Sequence, residues 1–299
     1  MLHAVLILSG FTALFVGIEH ALGLYRRRGV LTMRELGASL LALASTLVIR
    51  GAIAVAVTWA LAAFWPSSRG TLAGVSPWLV GLLYFLAADY GFYYVHRKSH
   101  ELPWLWRLHK PHHAPENLNV AVTYRENWLW PLLMTDAWLS PFVVWSGQPG
   151  AYVVALAVRT VISLVVHCEL RWDLPLQQNR FTRPLMWVIE RIVTLPDTHH
   201  VHHGVGRYGN AMKNYGAALS IFDLLHGTLV VPRARQEGFG LPRGASIEPW
   251  TEQLFWPFVR AKRDVADRRR PIDDSQPAAV IAAAKAVIHT VDGRTVVVR

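Results

Sequence analysis

The chain has 299 residues, of which 53% are hydrophobic and 17% charged, with a mean hydropathy of +0.25, which is too apolar for an ordinary soluble domain of that length. Its formal charge of +10 invites a nucleic-acid reading, but the basic residues fall in short loops between apolar runs, where they report membrane orientation, and no nucleic-acid partner is expected. The single cysteine, Cys168, excludes an internal disulfide framework and any four-thiolate zinc or iron–sulfur site.

Residues 5–25 form an apolar run long enough to cross a bilayer, followed by Arg26, Arg27 and Arg28. A cleavable signal carries its charges ahead of the apolar run, so this reads as a retained first span. Residues 36–65 are a second run with Arg50 inside it, an ionisable group that is costly there unless it faces protein or snorkels. The embedded part is expected from about Gly51. Residues 72–95 make a third span. Residues 128–145 and 152–166 make a fourth and a fifth, joined by a Gly147-Gln148-Pro149-Gly150 turn suited only to a helical hairpin. The sequence thus predicts an all-α, polytopic membrane helical bundle of about four to five spans. Alternating the spans puts the basic loops 26–34, 97–110 and 171–191 on one side, which the positive-inside rule makes cytoplasmic. From about Ala261 a basic run (Lys262, Arg263, Arg268, Arg269, Arg270) opens a tail suited to lie against anionic lipid or to stay disordered.

Ten of the fourteen histidines fall between His96 and His203. His96 and His100 are four apart, which puts both imidazoles on one helical face within reach of one ion. His109, His112 and His113 follow as H-x-x-H-H; they converge if the segment is helical, which Pro111 permits if it lies in the first turn. His199, His202 and His203 repeat that spacing, and His167, at the end of the fifth span, offers a further ligand. All these groups sit on the inferred cytoplasmic face, as a histidine-rich metal-binding cap. Eight or nine imidazoles exceed what one tetrahedral zinc takes. Two ions sharing them have four or five ligands each, which suits dioxygen activation at iron, although imidazole also accepts zinc, manganese or copper. His200 lies off the ligand spacing and is left out. Asp89, on one face with Tyr93 and His96, is placed to accept the other ring N–H of a ligand or to pair with a basic group of a neighbouring helix. Tyr93, Tyr94, Trp128 and Trp130 are candidate pocket residues, or members of an interfacial aromatic belt. Asp136 and Arg159, mid-membrane, are expected to pair across the hairpin.

From about Leu82 to Thr228 the sequence resembles the fatty acid hydroxylase/sterol desaturase superfamily of membrane di-iron enzymes, defined by HxxxH, HxxHH and HxxHH. The likeness extends through DYGFYYVHRKSH (Asp89 to His100), LWRLHKPHHAPENLNVAVTYR (Leu105 to Arg125), THHVHHG (Thr198 to Gly204) and KNYGAALSIFDLLHGT (Lys213 to Thr228). Glu116, Asn119 and Arg125, with Asn214, Tyr215, Gly216 and Asp223, look closest to the alkylglycerol monooxygenase branch. The resemblance implies His96, His100, His109, His112, His113, His199, His202 and His203 as ligands, with His167 matching an additional histidine, and Asn119, Arg125 and Asp223 as supports behind them. His226 and His200 depart from the usual family residues without removing a ligand.

The chain is expected to divide into N-terminal spans (1–70), a basic, partly flexible C-terminal tail (233–299) and, between them, the catalytic domain (71–232) that carries the resemblance. The resemblance implies two non-haem iron ions and dioxygen. It also implies an external reductant, which is a b-type cytochrome, a ferredoxin or a reduced pterin, since no flavin or dinucleotide motif is present. The expected reaction is hydroxylation or desaturation of a C–H bond in a lipid drawn from the bilayer, such as a fatty acyl chain, a sterol or an ether lipid; fold kinship does not choose among them. Two other classes stand beside it: a non-catalytic metal transporter or sensor, and a bis-histidine haem protein.

Overall fold

The computed structural model describes residues 2–26, 32–241, 248–260, 289–291 and 294–296. In chain order the helices are α1 (Leu2–Ala21), α2 (Met33–Phe64), α3 (Pro77–Glu101), α4 (Pro103–His113), α5 (Thr135–Trp145), α6 (Pro149–His167), α7 (Asp173–Gln178), α8 (Arg183–Ile189), α9 (Pro196–His203), α10 (Ile221–Leu225) and α11 (Trp250–Phe255). Two short antiparallel pairs join β1 (Gly204–Val205) to β2 (Gly238–Phe239) and β3 (His289–Val291) to β4 (Arg294–Val296).

Among the described residues three helices are long and apolar enough to cross a membrane: Glu35–Phe64, Pro77–Glu101 and Pro149–His167. Their outer faces expose large apolar side chains, among them Val48, Trp59, Phe64, Trp78 and Leu82, the inverse of a soluble surface and the surface a lipid environment favours. The first expected span corresponds to α1, although the side chains of its first turns lie outside the described residues. The second is longer than expected: α2 runs unbroken through Arg50, because that guanidinium meets the Asp136 carboxylate of α5 at 2.5 Å. The fourth is corrected. Residues 128–145 do not form one span, since Pro131 opens a separate 3-10 turn at Trp130–Leu133 and α5 has only 11 residues, about 16 Å against a hydrocarbon core of about 30 Å.

The short α5 is enclosed by α2, α3 and α6. Its approach to α3 depends on Gly91, where an added Cβ would fall 2.1 Å from the Thr135 hydroxyl. The C-terminal ends of α3 and α6 and the start of α2 lie at one end of this bundle, where the Arg125–Glu35 ion pair ties the start of α2 to the segment that follows the 3-10 turn Val120–Tyr124. The end of α1 meets them through Glu19, which accepts the Val120 and Glu169 N–H groups. The remaining short helices cap that end.

Residues 233–241 and 248–260, expected in the tail, are packed into this cap. β2 pairs with β1, Glu248 meets Lys110 at 2.7 Å, Asn127 donates to the Gln253 and Trp256 carbonyls, and Leu254 is buried beside Ala38 and Ala42. Strand pairing and satisfied buried polar groups hold a segment whose composition alone reads as a tail. The basic run from Lys262 to Arg270 lies outside the described residues.

Candidate metal centre

Four helix ends supply the histidines. His96 and His100 lie in the last turns of α3, His109, His112 and His113 at the end of α4, and His199, His202 and His203 in α9, with His167 the final residue of α6. α4 starts at Pro103, so Pro111 occupies its last turn rather than its first. The helix tolerates it near its end, and the Leu108 carbonyl in that turn accepts the Asn127 N–H.

The side chains gather into two groups. His96, His100, His109, His113 and His202 form one, and His112, His167, His199 and His203 the other; within each, one ring nitrogen per residue lies within 4.8 Å of the rest, and all are buried. Each H-x-x-H-H run is therefore divided between the groups. The i, i+4 pairs (His96 and His100, His109 and His113, His199 and His203) stay on one helical face, while His112 and His202, about 100° round the helix from their neighbours, point to the opposite group. His200 belongs to neither group and packs against Phe239.

The ring nitrogens carry directional information. The Nδ1 atoms of His96, His112, His167 and His202 lie 2.7–3.1 Å from the carbonyls of Tyr215, Val122, Ser163 and Lys213. A carbonyl only accepts, so each Nδ1 carries the hydrogen and each Nε2 presents a lone pair inward. There the Nε2 atoms of His96, His100, His202 and His203 are buried without a partner, and those of His109 and His113, His112 and His167, and His167 and His199 face one another at 3.0–3.2 Å. Burial holds His109, His112, His113, His199, His202 and His203 well below the usual histidine pKa, so they are neutral at pH 7. Converging neutral imidazole lone pairs in a dry site repel one another, and a cation between them resolves that repulsion. The donor set fits two imidazole-bound metal ions.

The supporting residues act at one remove. Asp89 accepts the N–H groups of Ala218 and Leu219 and stands 3.8 Å from Arg159, so the expected bond to a histidine ring is replaced by anchorage of the loop beyond Tyr215 and proximity to a basic neighbour. Asp223 grips the same loop through Tyr215 N–H, Gly216 N–H and the Thr228 hydroxyl, and Tyr215 supplies the carbonyl behind His96. Asn119 caps the 3-10 turn Val120–Tyr124, which presents the Val122 carbonyl to His112. Arg125 pairs with Glu35 and approaches Gln253. α9 is held by Asn214, in the left-handed region at φ 57°, which donates to the Thr198 and Val230 carbonyls. A buried network also holds it: Arg171 bridges Asp173 and Asp197, and Asp173 accepts the Asp197 N–H. Burial lifts the Asp197 carboxyl to about 6, with Arg171 pulling the other way.

A cavity of about 510 Å³ runs from this centre into the bundle, bounded at the metal end by His96, His112, His167 and His199. Of the four aromatic pocket candidates only Trp130 lines it, its ring stacked on His109 at 4.6 Å. Tyr93 turns to Thr228 and His226, Tyr94 is exposed, and Trp128 packs on Phe258. Helix phase explains the first two: Phe92 and His96, four apart, face the cavity, so Tyr93 and Tyr94 are rotated away from it. Glu126 had no role in the sequence reading, yet it lines the cavity with Oε1 3.3 Å from His109 Nδ1 and 3.8 Å from His112 Nδ1, and Oε2 is buried without a partner. Burial raises its carboxyl well above the usual range. Its only signal in the sequence was a carboxylate bordering an apolar run.

Bundle and site together define a helical membrane protein with nine buried histidines gathered in two groups, each of which could hold a metal ion. The fatty acid hydroxylase family matches residues 81–228, enclosing eight-histidine spacing and His167 alike. The chain is 29% identical over 185 residues to an alkylglycerol monooxygenase of Xenopus tropicalis, covering 60% of this chain and 36% of that protein, and 32% identical over 155 residues to the Homo sapiens protein of that name, covering 51% and 31%. It is 30% identical over 227 residues to the ornithine lipid hydroxylase OlsE of Rhizobium tropici, covering 74% and 62%. The chain belongs to the fatty acid hydroxylase/sterol desaturase superfamily, near its alkylglycerol monooxygenase branch. The matched region spans about a third of the length of those monooxygenases. No solved structure gives a significant match.

Proposed function

We propose that this protein is a membrane-bound di-iron lipid oxygenase that hydroxylates or desaturates a C–H bond of a lipid, using dioxygen and electrons from an external donor. The observation that carries the reading is the pair of buried, neutral histidine groups at the end of a mostly apolar cavity. The relatives named as monooxygenases and lipid hydroxylases support the same class.

In this reading His96, His100, His109, His113 and His202 hold one ion and His112, His167, His199 and His203 the other. When bound, the iron pair supplies dioxygen activation and the oxidising power for C–H cleavage. The chain's own residues bind and orient. Carbonyls behind four histidines hold their tautomers, and the apolar walls about Phe92, Met134 and Leu156 exclude water and align a hydrocarbon chain toward the histidines. Glu126 is placed to support His109 from behind. Replacing it with glutamine removes the carboxyl group, and metal affinity is expected to fall about 10- to 100-fold, the usual cost of losing such a partner; chelator competition measures it, and unchanged affinity rejects that role.

Arg97, Lys98, Arg107, Lys110 and Arg171 lie at the histidine end of the bundle, which supports a cytoplasmic cap under the positive-inside rule. A transporter requires a ligand path through the spans, but the mid-bundle charges Arg50, Asp136 and Arg159 are paired with one another. The convergence of four or five ring nitrogens within each group suits small ions better than a haem, which takes two axial histidines. The test is direct. Purified protein should carry about two irons per chain, show no Soret band, and, with dioxygen and a b-type cytochrome, ferredoxin or reduced pterin, convert lipid to a product with one oxygen more or two hydrogens fewer. Iron-free protein with full turnover rejects it.

A further inference from the structure

The cavity has a second end. α2 and α6 face each other across it without extended packing on one another: α2 leans on α5, and α1 leans on α6. Val48, 70% exposed, stands at the rim, so the opening faces sideways from the middle of α2. Besides Glu126 at the histidine end, three ionisable side chains project into this apolar space, Arg50, Asp136 and Arg159. Arg50 meets Asp136 at 2.5 Å, Arg159 meets Asp136 at 3.2 Å, and Arg159 stands 3.8 Å from Asp89.

Two properties of this cluster bear on its ligand. Its charges cancel, two arginines against two aspartates. Its donors outnumber its acceptors, because a guanidinium carries five N–H groups and, among the described residues, Arg50 makes its side-chain hydrogen bond and ion pair with Asp136, while Tyr84 and Tyr152 stand near without a hydrogen bond to it. Unused donors on a charged group in an apolar cavity favour an oxygen acceptor. An incoming carboxylate, by contrast, adds an uncompensated charge to a balanced site and loses its hydration. Along α6, Arg159 precedes His167 by eight residues, and along α3, Asp89 precedes His96 by seven, so the cluster lies roughly 10–12 Å from the metal centre by helix rise.

We propose that Arg50, with Asp136 and Arg159, forms a recognition subsite for a neutral oxygen acceptor (a hydroxyl, ether or carbonyl oxygen) on the lipid being oxidised. The subsite holds that oxygen while the hydrocarbon chain reaches the histidines, and so selects which carbon is presented. The proposal rests on the lipid-oxygenase reading for its purpose, but the binding it asserts is independent of turnover.

Equilibrium binding of tritiated hexadecane, hexadecan-1-ol and hexadecanoate to the full chain in detergent micelles tests it, with metal content and lipid oxidation measured on the same preparations. The wild-type protein should bind the alcohol at least about tenfold more tightly than the alkane and the carboxylate, as one added hydrogen bond to a charged donor gives. The double variant Arg50→Gln with Asp136→Asn removes one charge of each sign and leaves Arg159 with Asp89. It should lose the preference for alcohol over alkane while binding hexadecane as before. Arg50→Lys keeps a charged donor and should retain the preference. Equal binding of alcohol and alkane by wild type, tightest binding of hexadecanoate, or a preference that persists in the double variant each overturns the proposal. The wild-type comparison decides the matter even if the double variant does not fold. Alcohol preference without lipid oxidation rejects only the oxygenase reading, and oxidation without alcohol preference rejects only the subsite.

Discussion

Replacing His202 with alanine is expected to lower bound metal from about two ions per chain toward one and to reduce lipid oxidation to background. His202 is fully buried, its Nδ1 is committed to the Lys213 carbonyl at 2.8 Å, and its Nε2 has no protein partner. It is the one member of the first group contributed by α9, so its loss breaks the link between that helix and the α3–α4 ligands. His112 is its counterpart, the one α4 residue in the second group, and His112→Ala should empty the other position with the same effect on turnover. An ordered two-metal site needs both ions to act on one substrate, so either loss suffices. His200→Gln is the control: His200 is as buried as its neighbours but belongs to neither group, and metal content should stay near that of wild type. Elemental analysis of protein purified under identical conditions measures the stoichiometry. Two ions retained in both alanine variants would falsify the ligand assignment.

Replacing Arg171 with alanine is expected to destabilise the cap by about 3–5 kcal/mol, the range for removing one partner of a buried ion pair. The Arg171 side chain is 1% exposed. Its Nε meets Asp173 at 2.9 Å and its Nη2 meets Asp197 at 2.7 Å, and both carboxylates are fully buried. Asp197 stands in the first turn of α9, where it also accepts the Arg233 N–H at 2.8 Å. Without the guanidinium two carboxylates lie together in a dry site with no cation between them, and α9, carrying three of the proposed ligands, loses its anchor. Arg171→Lys keeps the charge but not the two-pronged geometry, and should fall between wild type and alanine. Denaturant unfolding in detergent, followed with metal content, measures both consequences. An Arg171→Ala protein as stable as its parent removes this network from any account of how α9 is held.

Much of the site was legible because metal ligation needs particular side chains at particular helical intervals. His96 with His100, and the two H-x-x-H-H runs, carry that spacing in local sequence, and all nine proposed ligands lie in the two groups. The membrane character was legible for a similar reason: apolar runs and the placement of arginines are one-dimensional quantities. The fourth span was misjudged because hydropathy over residues 128–145 does not register the break at Pro131, which shortens α5 to 11 residues. Tyr93 and Tyr94 are pocket candidates by sequence, but side-chain direction follows helix phase and Phe92 faces the cavity instead.

The tertiary structure alone decided how the histidines divide. Sequence spacing shows that His109, His112 and His113 share a helix end, but which of the two groups each joins depends on where α6 and α9 stand beside α4, and that is set by contacts between residues far apart in the chain. The same holds for Glu126, for the Arg171 network and for Arg50, whose charge within an apolar helix had no visible partner until Asp136, 86 residues away, was brought beside it. By itself the sequence determined the inventory of ligands, their intervals and the apolar spans, since these follow from side-chain chemistry and the 3.6-residue period. Only packing between helices determined the pairing of ligands into two groups, the cavity that leads to them and the charges that line it, because those are relations between surfaces that no local pattern encodes.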